Sequence, residues 1–271
     1  VLNLADELYN TGEYNAAVTE YMRFLFFNSK TPLTVYAMMQ TGKAFRDSGA
    51  LDEAQRWFLK AARTARGAAV ENGDCTAGPD SLQVYALLEH ALISMAKGEF
   101  TKAEFELYQL SSMDGLAPAF LKRIRFHQGL LFVYTARWRE AEEAFSKALA
   151  DRPEALAAVG AVLEEAAGRK LKDPAAAKVL STVLPGLGQA YSGRPLDGVN
   201  AFLINGGVFF FFGWNIAERN YPEAVLTFLY LVLRFYPGNI YQAGRKARDW
   251  NTAVQEKYKQ KVFAILDRLV E

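Results

Sequence analysis

Residues 129–153 read GLLFVYTARWREAEEAFSKALADRP, and this stretch decides the fold. A turn at Ala136-Arg137-Trp138 is followed by Ala141, Phe145 and Ala148 on one helical face, and Pro153 ends the unit. The same frame recurs upstream. Gly12-Glu13-Tyr14 leads to Ala17 and Tyr21, Gly49-Ala50-Leu51 to Ala54 and Phe58, and Gly98-Glu99-Phe100 to Ala103 and Leu107. The turn anchors lie 37, 49 and 38 residues apart, a period near forty with one insertion, which is the signature of a helical repeat. In each unit a glycine or alanine turn joins two amphipathic helices. The alanine of the second helix lets the first approach closely, and the aromatic three or four residues on fills the groove between units. On this reading Tyr21, Phe58, Trp138 and Phe145 are scaffold.

At these residues the chain resembles the tetratricopeptide repeat family. The fourth unit, with Gly129, Phe132, Trp138, Ala141, Phe145, Ala148 and Pro153, carries the resemblance best. The first matches through Ala5, Leu8, Gly12, Tyr14, Ala17 and Tyr21; the third is weaker, because Ser94 stands where a bulky residue is expected. The resemblance covers residues 2 to 153 and implies a right-handed superhelix whose concave face binds extended peptides or other proteins. First-helix positions Gln40, Lys43, His90, Arg125 and Gln128 are the candidates for that contact, weighed against solvation of an ordinary polar face. The segment from Gly67 to Asp80, with Asn72-Gly73-Asp74 and Gly78-Pro79, reads as a loop.

Composition sets bounds on the rest. The chain has 271 residues, 51% hydrophobic and 23% charged, enough to bury a core in one large or two modest domains. A formal net charge of +1 supplies no global drive toward nucleic acid. Cys75 is the single cysteine, so no internal disulfide forms and the redox compartment stays open. A first residue Val1 in place of methionine leads us to expect a trimmed chain or a mature protein whose signal peptide has been removed.

The second half changes character. An alanine-rich helix from Glu154 to Leu171 suits a cap on the repeats, Lys172-Asp173-Pro174 breaks it, and a short helix follows from Ala175 to Leu184. A glycine-punctuated turn from Pro185 to Gly198 then delivers the chain to Val199–Ile216, which contains four consecutive phenylalanines and no ionised side chain. At 1.5 Å per residue such a segment nearly matches a hydrocarbon core of about 30 Å. After a polar connection from Ala217 to Glu223, a second apolar run, Ala224–Leu233, continues past Arg234 to Tyr236. The pattern is a helical hairpin.

Here the chain resembles TM2-like membrane hairpins of bacteria through Pro185, Gly186, Gly188, Gln189, Tyr191, Gly193, Asp197 and Gly198. Gly238-Asn239-Ile240-Tyr241 with Ala243 and Ala247 is similar to the end of such segments in envelope proteins that pair them with tetratricopeptide repeats. Asn200, Asn205 and Asn215 in the first arm and Arg234 in the second are costly in hydrocarbon unless they face protein. Arg234 either turns toward the hairpin or a second copy, with Asn205 and Asn239 as polar neighbours, or snorkels to the interface. A buried helix pair inside a soluble assembly remains an alternative for the whole segment.

The expected fold is therefore all-α: a repeat domain over 1–171, a hydrophobic hairpin over 172–250, and an amphipathic helix over 251–271 with Val262, Ile265, Leu266 and Leu269 inward. Lys257, Lys259 and Lys261 on that helix are candidates for anionic lipid contact, against plain solvation. Arg194, Arg245, Lys246 and Arg248 flanking the hairpin favour a cytoplasmic repeat domain. The resemblance to envelope proteins favours a periplasmic one, and that is the expectation retained.

Catalytic signatures are missing from the sequence. His90 and His127 lack partners at metal-ligand spacing, and Gly186-x-Gly188 is not followed by a Lys-Ser/Thr pair. Glu104 with Glu106, and Glu142 with Glu143, sit on polar helix faces. No cofactor, metal or nucleic acid is implied. The expectation is a non-enzymatic, membrane-attached interaction scaffold of a bacterial envelope, which assists assembly of envelope proteins. Its partners are a protein or peptide on the repeats and lipid at the hairpin, with homo- or hetero-oligomerisation left open. The alternative is a structural subunit whose hairpin packs against other subunits.

Overall fold

The computed structural model describes residues 1–28, 31, 33–71 and 80–268, and every described element is helical. It resolves into two compact units, Val1–Glu164 and Glu165–Glu271.

The first unit is an all-α helical-repeat superhelix of four hairpins: α1 (Leu2–Asn10) with α2 (Tyr14–Phe27), α3 (Thr34–Asp47) with α4 (Leu51–Glu71), α5 (Ser81–Ala96) with α6 (Phe100–Ser111), and α7 (Pro118–Tyr134) with α8 (Trp138–Ala148). Each hairpin turns on the anchor residue. Gly12, Gly49, Gly98 and Ala136 have φ of 83, 85, 75 and 57°, in the left-handed region. The two amides at and after each anchor close back on the preceding helix: at the first turn Gly12 N–H donates to Tyr9 O and Glu13 N–H to Leu8 O, and at the fourth Ala136 donates to Val133 O and Arg137 to Phe132 O. This Schellman pair satisfies carbonyls the helix end would leave open. Ala136 adopts the conformation against its Cβ, which costs about 1 kcal/mol relative to glycine.

Packing repeats with the same register. Ala17, Ala54, Ala103 and Ala141 are fully buried, as are Tyr21, Phe58, Leu107 and Phe145 four residues on; Trp138 stays partly exposed. Sixteen residues before each of the latter four sits a small residue of the first helix: Ala5, Gly42, Ala91 and Gly129. Where the large residue is phenylalanine, the small one is glycine. A Cβ on Gly42 would lie 3.0 Å from Phe58 Cε1, and one on Gly129 2.8 Å from Phe145 Cε1.

One expectation changes. The stretch expected as a loop from Gly67 is helical as far as Glu71, because α4 carries on for 21 residues, while positions 72–79, Cys75 among them, lie outside the described residues. Ser94, which makes the third unit the weaker match, has its own role. It is fully buried, accepts from Gln55 Nε2 at 2.8 Å and donates to Glu106 Oε2 at 2.9 Å, so hydrogen bonds hold a place the other repeats fill with bulk.

After α9 (Pro153–Gly168) come α10 (Pro174–Val183), α11 (Leu187–Tyr191), α12 (Pro195–Ala217), α13 (Tyr221–Thr227), a π-helical turn (Phe228–Val232) and α14 (Leu233–Asp267). The glycine stretch is therefore more than a turn: α11 forms inside it, and α12 starts four residues earlier than the apolar run because Pro195 fits the first helical turn. α12 and the helix beginning at Tyr221 form the hairpin. Its turn is again a Schellman pair, with Arg219 N–H donating to Ile216 O and Asn220 N–H to Asn215 O, and with Arg219 at φ 61°. The second arm runs on through Pro237 to Asp267, so the amphipathic end continues the hairpin arm, with Tyr258, Val262 and Leu266 buried. Leu269 lies outside the described residues.

Candidate functional site

In the first unit the odd-numbered helices α1, α3, α5 and α7 neighbour one another and carry a continuous polar network. Tyr9 Oη on α1 donates to Asp47 Oδ2 at 2.5 Å, and Arg46 Nε donates to Asp47 Oδ1 at 2.8 Å. Arg46 Nη1 reaches Glu89 on α5 at 2.6 Å, and Arg123 on α7 stands 4.0 Å from the same carboxylate. Glu89 is nearly sealed from solvent, its side chain 4% exposed. The Tyr85 ring lies between two cations, with Lys43 Nζ 5.2 Å and Arg123 Cζ 5.2 Å from its centroid. At the α1 end, Asp6 Oδ1 accepts from Tyr21 at 2.6 Å and Tyr36 at 3.2 Å, and Tyr36 in turn accepts from Gln40 Nε2 at 2.8 Å. Gln40 Oε1 is buried without a partner.

Burial governs the titration of these groups. Desolvation first, then the hydrogen bond to Asp47, pushes the Tyr9 hydroxyl up to about 12. Burial raises Tyr85, helped by Glu89. His127 on α7 is pushed down to about 4, by burial and then by Arg123, with Glu89 opposing.

The five contact candidates fall in three surroundings. Gln40 and Lys43 belong to the network just described. His90 faces α6, its Nδ1 3.3 Å from Glu106. Arg125 and Gln128 line a groove with Tyr108 and Ser111 of α6, Arg137 of the turn, and Glu140, Glu143 and Lys147 of α8. Tyr85, Glu89, Arg46 and Arg123 were missed. Their signal was recurrence along the first helices, which one sequence does not separate from any polar face.

In the second unit the glycine motif is a joint between helices. Gly186 (φ 95°) packs its backbone on that of Gly198, where a Cβ would lie 2.6 Å from Gly186 O. A Cβ on Gly188 would overlap the Ala177 carbonyl of α10, inside any van der Waals limit. Gln189, 2% exposed, then joins three helices: its Oε1 accepts from Ser181 Oγ of α10 at 2.8 Å and its Nε2 donates to Asn239 Oδ1 of α14 at 2.6 Å. Asn239 Nδ2 returns to Ser181 O at 3.3 Å, and Gly188 N–H donates to Ser181 Oγ at 3.0 Å. Ala177, Ala243 and Ala247 close around Tyr191. Gly193 lies against Trp250, and the Tyr191 hydroxyl accepts from Asp173 N at 3.1 Å. Lys246 pairs with Asp197, which Arg194 approaches at 3.8 Å. Ser181 and Trp250 went unread, and Lys246 was read only as a flanking charge, because they lie outside the motif and meet it only in space.

Arg234 lines an open groove of about 450 Å³ between α12 and α14 with Asn200, Ala201, Asn205, Gly238, Asn239 and Gln242. Asn205 and Asn215 each close on their own helix, through Nδ2 to Ala201 O and Phe211 O at 2.8 Å. Asn239 is committed to Gln189. Apart from this groove the hairpin surface is apolar and open, with Leu203 62%, Phe210 71% and Trp214 54% exposed. α12 is long and apolar enough to cross a membrane. Among the described residues no group of three metal-ligating side chains forms.

Residues 2–69, spanning α1 to most of α4, match the tetratricopeptide repeat family. No curated protein matches the chain. Two solved structures are similar: BtubC (BKLC) from P. vanneervenii, 18% identical, with a TM-score of 0.46 over 73% of this chain and 74% of that one, and a tetratricopeptide repeat protein from Parabacteroides merdae ATCC 43184, 15% identical, with a TM-score of 0.48 over 97% of each. The family match thus lies in the first two hairpins of the first unit.

Proposed function

We propose that the chain is a membrane-attached interaction scaffold of a bacterial envelope, which holds a protein or peptide on the repeats, fixes it at the bilayer through the hairpin and assists assembly of envelope proteins. The exposed apolar hairpin carries this reading: α12, 23 residues long, has 11% of its apolar window buried. A patch of that extent is foreign to a solvated monomer and natural in lipid. On the repeats, the face of α1, α3, α5 and α7 supplies Lys43, Arg123 and Tyr85 to a ligand. The repeat unit is placed in the periplasm, in keeping with the resemblance to envelope proteins.

Flotation with phosphatidylcholine vesicles tests the anchor. The full chain floats with the vesicles, and the pair Leu203→Asp with Phe210→Asp stays in the aqueous fraction, since each charge at mid-span costs about 2.5–3.5 kcal/mol. Protease shaving of intact and permeabilised spheroplasts tests the side. A second reading, a subunit whose hairpin packs on other proteins, draws on the polar groups at Asn200, Asn205 and Arg234; a soluble, monodisperse oligomer that ignores vesicles establishes it over the first.

A further inference from the structure

Arg234 is a cation inside the apolar second arm of the hairpin. Arg234 makes no ion pair among the described residues, whereas the charge pair at the groove's outer end, Asp197 with Lys246, is complete. Asn205, in the same groove, is the eleventh of the 23 residues of α12. At 1.5 Å per residue it lies about 15 Å from either end of that helix. If the hairpin spans lipid, as proposed above, Arg234 sits at a depth where an isolated cation is expensive and marks a functional contact.

Neither Gly198–Ala217 nor Ala224–Arg248 contains an aspartate or glutamate, and Asp197, the carboxylate that lines the groove, is paired with Lys246. A second copy paired along these spans brings another Arg234 and no carboxylate, so such self-association does not answer the charge. Lipid phosphates lie at the ends of the span, away from its middle. The groove also fits a helix: Ala201 and Gly238 line it, and a Cβ on Gly238 meets nothing within 4 Å, which lets another backbone come close. Asn200, Asn205 and Gln242 add hydrogen-bonding groups beside the guanidinium. The π-helical turn, in which Leu233 N–H donates to Phe228 O, ends two residues before Arg234. It inserts a residue and so turns the following face by about 100°. Such turns are frequent at functional sites.

We infer that this groove receives an apolar membrane-spanning helix of another protein that carries a carboxylate near mid-span, with Arg234 as its counter-charge. The inference rests on the membrane reading of the hairpin. The hairpin is then more than an anchor: it selects a client in the bilayer while the repeats hold another part of it.

The experiment uses the labelled full chain in phosphatidylcholine vesicles and two synthetic leucine-alanine helices, one with a central glutamate and one with glutamine in its place, with association read by energy transfer. The glutamate helix binds about tenfold more tightly than the glutamine helix. Arg234→Gln removes that difference, and Arg234→Lys keeps part of it. Both variants still float with vesicles, which separates loss of the contact from loss of the anchor. Equal binding of the two helices, or an undiminished preference in Arg234→Gln, overturns the inference. So does loss of the preference when phosphatidylglycerol is added, which identifies a lipid phosphate as the occupant, or displacement of the helix by an unlabelled second copy. If the wild-type chain does not float at all, the membrane reading itself fails; if it floats but does not discriminate, only the present inference does.

Discussion

The repeat unit and the hairpin unit turn their helices with the same device and pack them by opposite means. Both use a left-handed residue and a pair of amides closing on the preceding helix, at Ala136 in one and at Arg219 in the other. In the repeats, a small residue then faces one large apolar side chain, as Gly129 faces Phe145, and the stabilisation is burial of the ring. In the second unit, backbone meets backbone at Gly186, Gly188 and Gly198, and amide side chains tie the helices together through Gln189 and Asn239. Phe58 and Phe145 of the first unit are fully buried, whereas Leu203, Phe210 and Trp214 of the second are exposed. On the membrane reading proposed above this contrast is expected, because apolar side chains lose their driving force for helix packing in lipid and close contact with hydrogen bonding must replace it.

That contrast can be broken by a methyl group. Gly188→Ala sets a carbon against the Ala177 carbonyl and is expected to destabilise the second unit by more than about 3 kcal/mol, whereas Gly129→Ala meets a ring that tilts and costs about 1–3 kcal/mol. Thermal melting of the two variants in mild detergent checks the order; equal losses would erase the distinction between backbone and ring packing. Asn239→Leu tests the polar tie. It strands the Gln189 amide in a dry site and is expected to cost about 2 kcal/mol, read from the same melts.

Acid sharpens the comparison from the repeat side. His127 has a folded value near 4, below its ordinary 6.5, so the unfolded chain takes up the proton first. Its contribution is complete above about pH 6.5 and is lost as pH falls toward 4, by roughly 3 kcal/mol in all. Urea midpoints at pH 7 and pH 4.5 should differ for the wild type more than for His127→Gln; identical differences refute the assignment. The smallest effect is a gain. Ala136→Gly relieves the left-handed alanine and is expected to raise stability by about 0.5–1 kcal/mol, a rise of a few degrees in melting temperature.

Legibility in the sequence followed the range of the interaction. The four turn anchors, the alanines and Tyr21, Phe58 and Phe145 were readable because helix geometry and a fixed repeat frame are local. The Gly42 to Phe58 pairing was open to the same reading, since it shares the sixteen-residue offset of Gly129 and Phe145. Glycines of the hairpin motif were readable as close-packing positions, but not their partners. Ser181 and Asn239 are 58 residues apart, and nothing in either neighbourhood announces the other. The contact candidates show the same limit: Lys43 and Arg125 look alike as polar residues on first helices, yet one stacks on Tyr85 and the other lines a groove toward α8.

The sequence by itself determined that this chain is helical, that its first half repeats, and that its second half contains an apolar hairpin opened by a glycine motif, because periodicity, turn residues and apolar length are properties of short stretches. Only the tertiary structure decided that Gln189 is the pin of three helices, that Glu89 is shared between Arg46 and Arg123, and that Arg234 lines a groove whose carboxylate, Asp197, is paired with Lys246. Those depend on which distant segments share a surface. A charge has a meaning only once its neighbours are known.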